Sequence, residues 1–128
     1  MNNGRVAVPS DGNGGLNGIR SQHFGHCDVF TLIDIENGAI KGETIINNGG
    51  HEHGGCMVPV TLLANNNVNA IIVAGIGRRP LTGFNNVGID VYVDTVNPIV
   101  ITVVNKLIND NLVKMSLDEA CGVTGNCQ

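Results

Sequence analysis

Histidine and cysteine side chains are concentrated in two short stretches of this chain. The stretches read QHFGHCDVF (22–30) and NGGHEHGGCMV (48–58), and they hold all four histidines and two of the four cysteines. The candidate ligands they contain are His23, His26, Cys27, His51, His53 and Cys56. Neutral imidazole and thiolate are ligands suited to Zn, Cu, Fe and iron–sulfur species. The pattern therefore predicts a site for a metal ion or a metal–sulfur cluster.

Spacing within the second stretch favours chelation. One residue separates His51 from His53, and two separate His53 from Cys56, so one loop can supply several ligands to one ion. Cys56 also precedes a predicted helix, whose dipole would favour the thiolate. Two tail residues, Cys121 and Cys127, are further metal candidates, although a disulfide or a mobile tail explains them equally well.

Simpler interpretations stay open for the other residues. A single loop histidine is usually a solvated polar side chain, and Cys27 is equally well explained as a small buried residue at a strand edge. Gly75 and Gly77 offer backbone N–H donors for an anion and Arg78 adds positive charge, but an ordinary strand–helix turn explains them too. Soft ligands beside anion donors favour an anionic metal–sulfur cluster over a bare cation.

Composition limits the class of protein. The 128 residues predict one domain, and a net charge of −4 with 3% aromatic residues disfavours a nucleic-acid partner. No apolar run approaches the ~20 residues of a membrane span, and the first residues lack the apolar segment of a signal peptide. We therefore expect a cytoplasmic protein with reduced thiols and without a membrane partner.

Hydrophobic runs and turn signals predict an α/β fold in the order β-β-β-α-β-α-β-α. The strands are expected at 5–8, 29–35, 39–46, 68–74 and 89–94, and the helices within 57–66, within 75–88 and from 98 onward. Asn37-Gly38 predicts a type I′ hairpin turn, and Thr95 or Asn97 is expected to cap the last helix. The result is a mixed five-stranded sheet flanked by helices over residues 1–115, followed by a Cys-containing tail at 116–128.

This order of elements brings the motifs together. Right-handed crossovers make the first, fourth and fifth strands parallel, while the second strand is antiparallel to the first. Both His/Cys stretches and the turn at 75–79 then lie at the end of the sheet where the first strand finishes. Because ligands of open α/β sheets bind at the carboxyl ends of parallel strands, we expect one shared site there.

Three stretches resemble the dinitrogenase iron–molybdenum cofactor biosynthesis family, which includes NifX and NafY-type proteins, the C-terminal part of NifB and the orange protein. They are SQHFGHCDVF (21–30), HGGCMVPVTLLANNNVNAIIVAGIGRRPLTGFNNVGIDVYV (53–93) and TVNPIV (95–100). The resemblance implies a ribonuclease-H-like fold. It also implies a small non-enzymatic protein that binds, carries or stores a cluster, iron–sulfur or molybdenum-containing, and exchanges it with donor and acceptor proteins.

The Ser-x-His-Phe-Gly motif of this family falls on residues 21–25, which assigns Ser21 and His23 to the site with the 75–78 turn. Many members have a small residue such as Ala where this chain has Cys27. A single Zn, Cu or Fe ion stays open as the bound species, and so does a homodimer. A thiol redox protein using Cys27 and Cys56, or a ligand-binding regulatory module using the glycine loops, is the alternative function. A nuclease is disfavoured because no acidic constellation converges.

Overall fold

The computed structural model describes residues 1–48 and 58–115. The strands are β1 (Gly4–Asp11), β2 (Ile19–Arg20), β3 (Val29–Glu36), β4 (Ala39–Asn47), β5 (Ala70–Val73), β6 (Asp90–Val93) and β7 (Val113–Lys114). The helices are α1 (Val58–Asn65), α2 (Arg78–Asn86) and α3 (Val100–Ile108). None of these helices has the length and apolar character that crossing a membrane requires.

One mixed sheet forms the centre of the fold. Its strand order is β4-β3-β1-β5-β6-β7, and β2 pairs with the end of β1. β1 runs parallel to β5, and β5 runs parallel to β6, whereas β3 is antiparallel to both of its neighbours. These directions confirm the predicted arrangement. They place the ends of β1, β5 and β6 and the start of β3 at one end of the sheet, termed the rim.

The sheet has seven strands in the described chain and not the predicted five, because β2 and β7 were not predicted. Each of these strands has two residues, which is too short to show an alternating apolar pattern in a sequence. β2 pairs Arg20 with Ser10, and it lies between the first two predicted strands, where no regular element was expected. The β3–β4 hairpin was predictable, and its turn residues Asn37 and Gly38 have the positive φ angles, 53° and 76°, that a type I′ turn requires.

β1 extends past the predicted end at Val8 and includes Pro9. The N–H and C=O of a strand residue point to the same side, and the Pro9 carbonyl accepts the Ser21 N–H at 2.7 Å. An N–H group on Pro9 would therefore point to the side of β1 that β5 occupies. Within β1, β5 pairs only with Val6 and Ala7, so it offers no partner opposite Pro9. Pro9 costs the β1–β5 ladder no hydrogen bond, so it does not end the strand.

Alternating side chains divide the core between the two faces of the sheet. On the α1/α2 face, the two helices cover Ala7, Phe30, Leu32, Ile71 and Val73. On the α3 face, that helix covers Val6, Val8, Ile33, Ile35, Ala70 and Ile72. Strands buried on both faces read as continuous apolar runs, which is why β1 and β5 were recognisable in the sequence.

The prediction that Thr95 or Asn97 caps α3 is wrong. The N-cap residue is Ile99, which makes no side-chain capping hydrogen bond. Asn97 instead donates its backbone N–H and its side-chain amide to the carboxylate of Asp94, at 2.8 and 3.0 Å. The polar residues before α3 therefore form hydrogen bonds with one another and not with the first turn of the helix.

A glycine-rich loop of residues 12–18, termed the capping loop, caps α3 instead. Val100 and Ile101 donate their N–H groups to the carbonyls of Gly18 and Leu16, at 3.0 and 2.8 Å. Backbone carbonyls thus satisfy the first donors that a helix leaves without an intrahelical partner. The glycines of this stretch consequently have a structural task on the α3 face.

Candidate metal-binding site

The first His/Cys stretch forms a loop at the rim between β2 and β3. This segment, residues 21–28, is termed the His loop, and its centre is a 3-10 turn over Phe24–His26. The side chains of His23 and His26 are exposed, whereas Phe24 between them is buried. The loop therefore presents two imidazoles to solvent from a backbone that is fastened to the core.

Phe24 fastens the His loop to α2. Its ring centroid lies 5.5 Å from that of Phe84, and the two planes meet edge to face at 67°. Such an aromatic pair contributes about 1 kcal/mol beyond the area it buries. Since His23 and His26 flank this buried ring, neither can move far without disturbing the contact.

Ser21 holds the backbone of His23. Its hydroxyl donates to the His23 carbonyl at 3.2 Å and accepts the His23 N–H at 3.1 Å. A serine two residues before the histidine is the arrangement that such a local side-chain turn requires. Ser21 is buried, so its place in this structure is beneath the histidine and not on the loop surface.

A buried ion pair supports the chain immediately before the His loop. The side chains of Arg20 and Asp94 are 2% and 4% exposed, with 3.9 Å between guanidinium and carboxylate. Arg20 also donates to the Asn97 carbonyl from two nitrogens, at 3.1 and 3.3 Å. Burial raises the pKa of Asp94, but the hydrogen bonds from Asn97 and Val96 and the nearby guanidinium outweigh it, so the pKa lies below its ordinary value. Asp94 is therefore a charged structural group.

Cys27 faces the core, in contrast to its predicted place beside the exposed histidines. It is 1% exposed, packs within the α1/α2-face cluster, and donates from Sγ to the Phe24 carbonyl at 3.4 Å. Burial raises the pKa of the Cys27 thiol from 9.0 to about 12, and hydrogen bonds offset only part of this effect. A neutral, buried thiol is a poor nucleophile and a poor ligand. The core-residue interpretation thus describes Cys27 in this structure.

The turn after β5 also reaches the rim. Ile76 at its centre is fully buried in the same cluster as Phe24, so the turn and the His loop share the α1/α2 face. Gly75 is half-buried, and Gly77 is the N-cap residue of α2. The Arg78 side chain is exposed and forms no ion pair with the rest of the described chain.

These residues do not complete a metal site by themselves. Within 1–48 and 58–115, no three His, Cys, Asp or Glu side chains lie close enough together to hold a metal ion. His23 and His26 are therefore exposed candidate ligands and not a complete site. The other predicted ligands lie outside the described residues and stay predictions; they are His51, His53, Cys56, Cys121 and Cys127.

One polar residue at the rim was missed by the sequence reasoning. Asn48 follows β4 and is 2% exposed, and its side-chain amide donates to two carbonyls of the His loop. Nothing distinguishes it in the sequence from the other asparagines of this chain. The available signal was its position, just after a predicted strand and at the first residue of the second His/Cys stretch.

The fold and the His loop define a small mixed α/β domain with exposed histidines at the carboxyl ends of its parallel strands. The family described as "Dinitrogenase iron-molybdenum cofactor" matches residues 4–110, and the chain belongs to this family. The resemblance inferred from the sequence is therefore confirmed.

Relatives of this chain include proteins of known structure. An uncharacterized protein of Methanocaldococcus jannaschii, MJ0580, is 42% identical over 90 residues, which cover 69% of this chain and 72% of that protein. The crystal structure of PH0822 has a TM-score of 0.74 at 26% identity, covering 87% and 96% of the two chains. The apo orange protein of Desulfovibrio gigas has a TM-score of 0.77 at 19% identity, covering 91% and 96%, a likeness of fold alone.

Proposed function

We propose that this protein binds and carries a metal–sulfur cluster, iron–sulfur or molybdenum-containing, as a small non-enzymatic cytoplasmic protein. The observation that carries the proposal is the pair of exposed imidazoles, His23 and His26, on a loop fastened at the rim. Membership in a family described by the iron–molybdenum cofactor of dinitrogenase supports a metal–sulfur cargo. A single Zn, Cu or Fe ion is the alternative cargo.

The donor set of the His loop fits such a cargo in part. Exposed neutral imidazoles bind borderline metals such as Fe, Cu and Zn, so His23 and His26 are assigned as ligands. Cys27 does not fit, because its thiol is buried and protonated. The remaining ligands are proposed to come from the second stretch, at His51, His53 and Cys56, of which a four-coordinate metal needs only some.

The tail cysteines are proposed to capture or hand over metal. Met115 donates its N–H to the Val91 carbonyl at 2.7 Å, which places this end of the described chain beside β6 on the α1/α2 face. Three strand spacings, about 14 Å, separate β6 from β3. Cys121 lies six positions beyond Met115, and six extended residues span about 20 Å, so its reach includes the rim.

The turn after β5 is proposed to face the anionic edge of the cluster. The backbone N–H groups of Gly75 and Gly77 and the guanidinium of Arg78 would supply the favourable charge, and the exposure of Arg78 supports this role. Donor and acceptor proteins are the proposed partners. The ribonuclease-H-like designation of the fold is likewise proposed, from the order of the strands and the reversed direction of β3 between β4 and β1.

Two observations weigh against the alternative functions. A thiol redox protein needs a thiolate that reacts near neutral pH, and a pKa of about 12 keeps Cys27 protonated there. A regulatory module that binds ligands with its glycine loops needs those loops to be available, whereas the capping loop is engaged by the first turn of α3.

The test is metal and sulfide analysis with an absorption spectrum after anaerobic purification and cluster loading. We expect metal with stoichiometric sulfide in the unaltered protein and at least a tenfold loss in a His23→Ala/His26→Ala variant, the range seen when metal ligation is impaired. A matched control, Asn85→Ala/Asn86→Ala, changes two exposed residues at the other end of α2 and should load normally. Neither metal nor sulfide in the loaded protein would overturn the proposal, and normal loading without the two histidines would remove them from the site.

A further inference from the structure

The side chain of Asn48 lies between the end of β4 and the His loop. Its Nδ2 donates to the Gly25 carbonyl at 3.2 Å and to the Cys27 carbonyl at 3.1 Å, and it lies 3.6 Å from the Cys27 Sγ. The backbone N–H of Asn48 donates to the Asp28 carbonyl at 3.3 Å. One buried residue therefore holds the second half of the His loop at three points.

The two carbonyls that Asn48 binds stand on either side of His26. The Gly25 carbonyl belongs to the peptide unit that enters His26, and the Cys27 carbonyl follows one residue after it. Glycine leaves its backbone dihedral angles unrestrained, so Gly25 cannot by itself determine where His26 points. An external hydrogen-bond donor that fixes this carbonyl supplies the missing restraint.

The two histidines are held by different side chains, although the backbone N–H of His26 also donates to the His23 carbonyl at 3.3 Å. His23 is held by the hydroxyl of Ser21, in a local turn within the loop. His26 is held through Gly25 and Cys27 from a residue that is distant in sequence. Loss of the Asn48 amide should therefore affect His26 more than His23, because Ser21 still holds the His23 backbone.

We propose that Asn48 is a positioning residue that sets His26 for metal binding, an inference that rests on the proposed function. An amide is required because its NH₂ group supplies two donors, one for each carbonyl. A carboxyl group of the same shape supplies no donor when it is ionised and one donor when it is protonated, so it cannot bind both carbonyls. Asn48→Asp thus removes at least one of the two hydrogen bonds with almost no change of volume.

The experiment measures anaerobic binding of Co²⁺, a spectroscopic probe, by absorption titration of the full chain. We expect Asn48→Asp to weaken binding by about 10- to 100-fold, the usual effect of losing a residue that orients a ligand, and to change the visible spectrum. The matched control is Asn66→Asp, because the Asn66 amide also donates to a carbonyl, that of Leu62 at 2.8 Å, at the opposite end of the sheet. The control should bind Co²⁺ normally.

A double-mutant cycle with His26→Ala separates positioning from general stability. If Asn48 acts through His26, Asn48→Asp adds little once the imidazole is gone, so the two effects are non-additive. Additive effects would show a structural role only and would overturn the inference, as would unchanged Co²⁺ binding by Asn48→Asp. If circular dichroism shows that the Asn48→Asp variant is unfolded, Asn48→Ala takes its place in the cycle, because it removes the same donors without adding a charge. Absence of Co²⁺ binding by the unaltered protein would instead overturn the proposed function.

Discussion

The core around Cys27 stabilises the neutral form of its thiol. Burial raises the pKa of Cys27 from 9.0 to about 12 in the folded protein. Between these two values the unfolded chain has released the thiol proton and the folded chain still holds it. The folded state then binds more protons than the unfolded state, so stability decreases as pH rises. The contribution of Cys27 is complete below pH 9 and is lost as pH approaches 12.

A Cys27→Ala variant should therefore lose less stability in alkali than the unaltered protein. From pH 8 to pH 10 we expect the free energy of unfolding of the unaltered protein to fall by roughly 1 kcal/mol more than that of the variant. Urea unfolding at both pH values measures this difference, and the other titrating groups are common to both proteins. Parallel pH dependence would contradict a buried, neutral thiol.

Among the elements, the capping loop shows how closely a glycine-rich segment can be packed. Gly14 has a φ of +66°, and a Cβ there would lie 2.7 Å from the Val29 side chain and 2.8 Å from the Thr31 hydroxyl. That hydroxyl accepts the Gly15 N–H at 3.0 Å. Gly12 has a nearly equal φ of +60°, but a Cβ on Gly12 would meet nothing within 4 Å. Comparing the same substitution at Gly12 and Gly14 therefore separates the cost of the backbone conformation from the cost of steric overlap.

We expect Gly14→Ala to destabilise the protein much more than Gly12→Ala. Each replacement costs about 1–2 kcal/mol for a left-handed backbone. Gly14→Ala adds an overpacking cost of about 1–3 kcal/mol, because Val29 and Thr31 must move. Urea unfolding of both variants gives the two free energies. Equal losses would mean that the loop is not packed against β3 as described.

At the scale of the whole molecule, the segment after α3 returns to the sheet and to the core. Met115 is 7% exposed, belongs to the α1/α2-face cluster, and follows the β7 residues paired with β6. The short strand therefore fastens the segment after α3 to the sheet. The domain boundary at residue 115 stays a prediction.

Truncation at two positions tests that boundary. A chain ending after Met115 should unfold cooperatively, with a free energy of unfolding within about 1 kcal/mol of the full chain. A chain ending after Asp110 also loses β7 and the buried Met115 side chain, so it should be less stable by at least about 2 kcal/mol. Thermal and urea unfolding compare the two. A large loss of stability in the chain that ends after Met115 would place the boundary beyond residue 115.

The parts of the fold that were predictable are those in which local pattern and tertiary context agree. The β3–β4 hairpin combines alternating residues with Asn37-Gly38, so its sequence specifies its turn. β2 and β7 could not be predicted, because two-residue strands exist only through the strands they pair with. The inward direction of Cys27 and the hydrogen bonds of Asn48 depend on packing between distant segments. The histidines were predictable as loop residues, and their separate restraints were not.

The cap on α3 has a consequence for sequence divergence. It is made of backbone carbonyls, which every amino acid carries, so it places no demand on the exposed side chains of Asn13 and Asn17. It does demand empty space: a Cβ on Gly18 would lie 2.6 Å from the Gly14 carbonyl oxygen. We therefore expect homologous sequences to vary at positions 13 and 17 and to retain glycine at positions 14 and 18, where a side chain would collide with its neighbours.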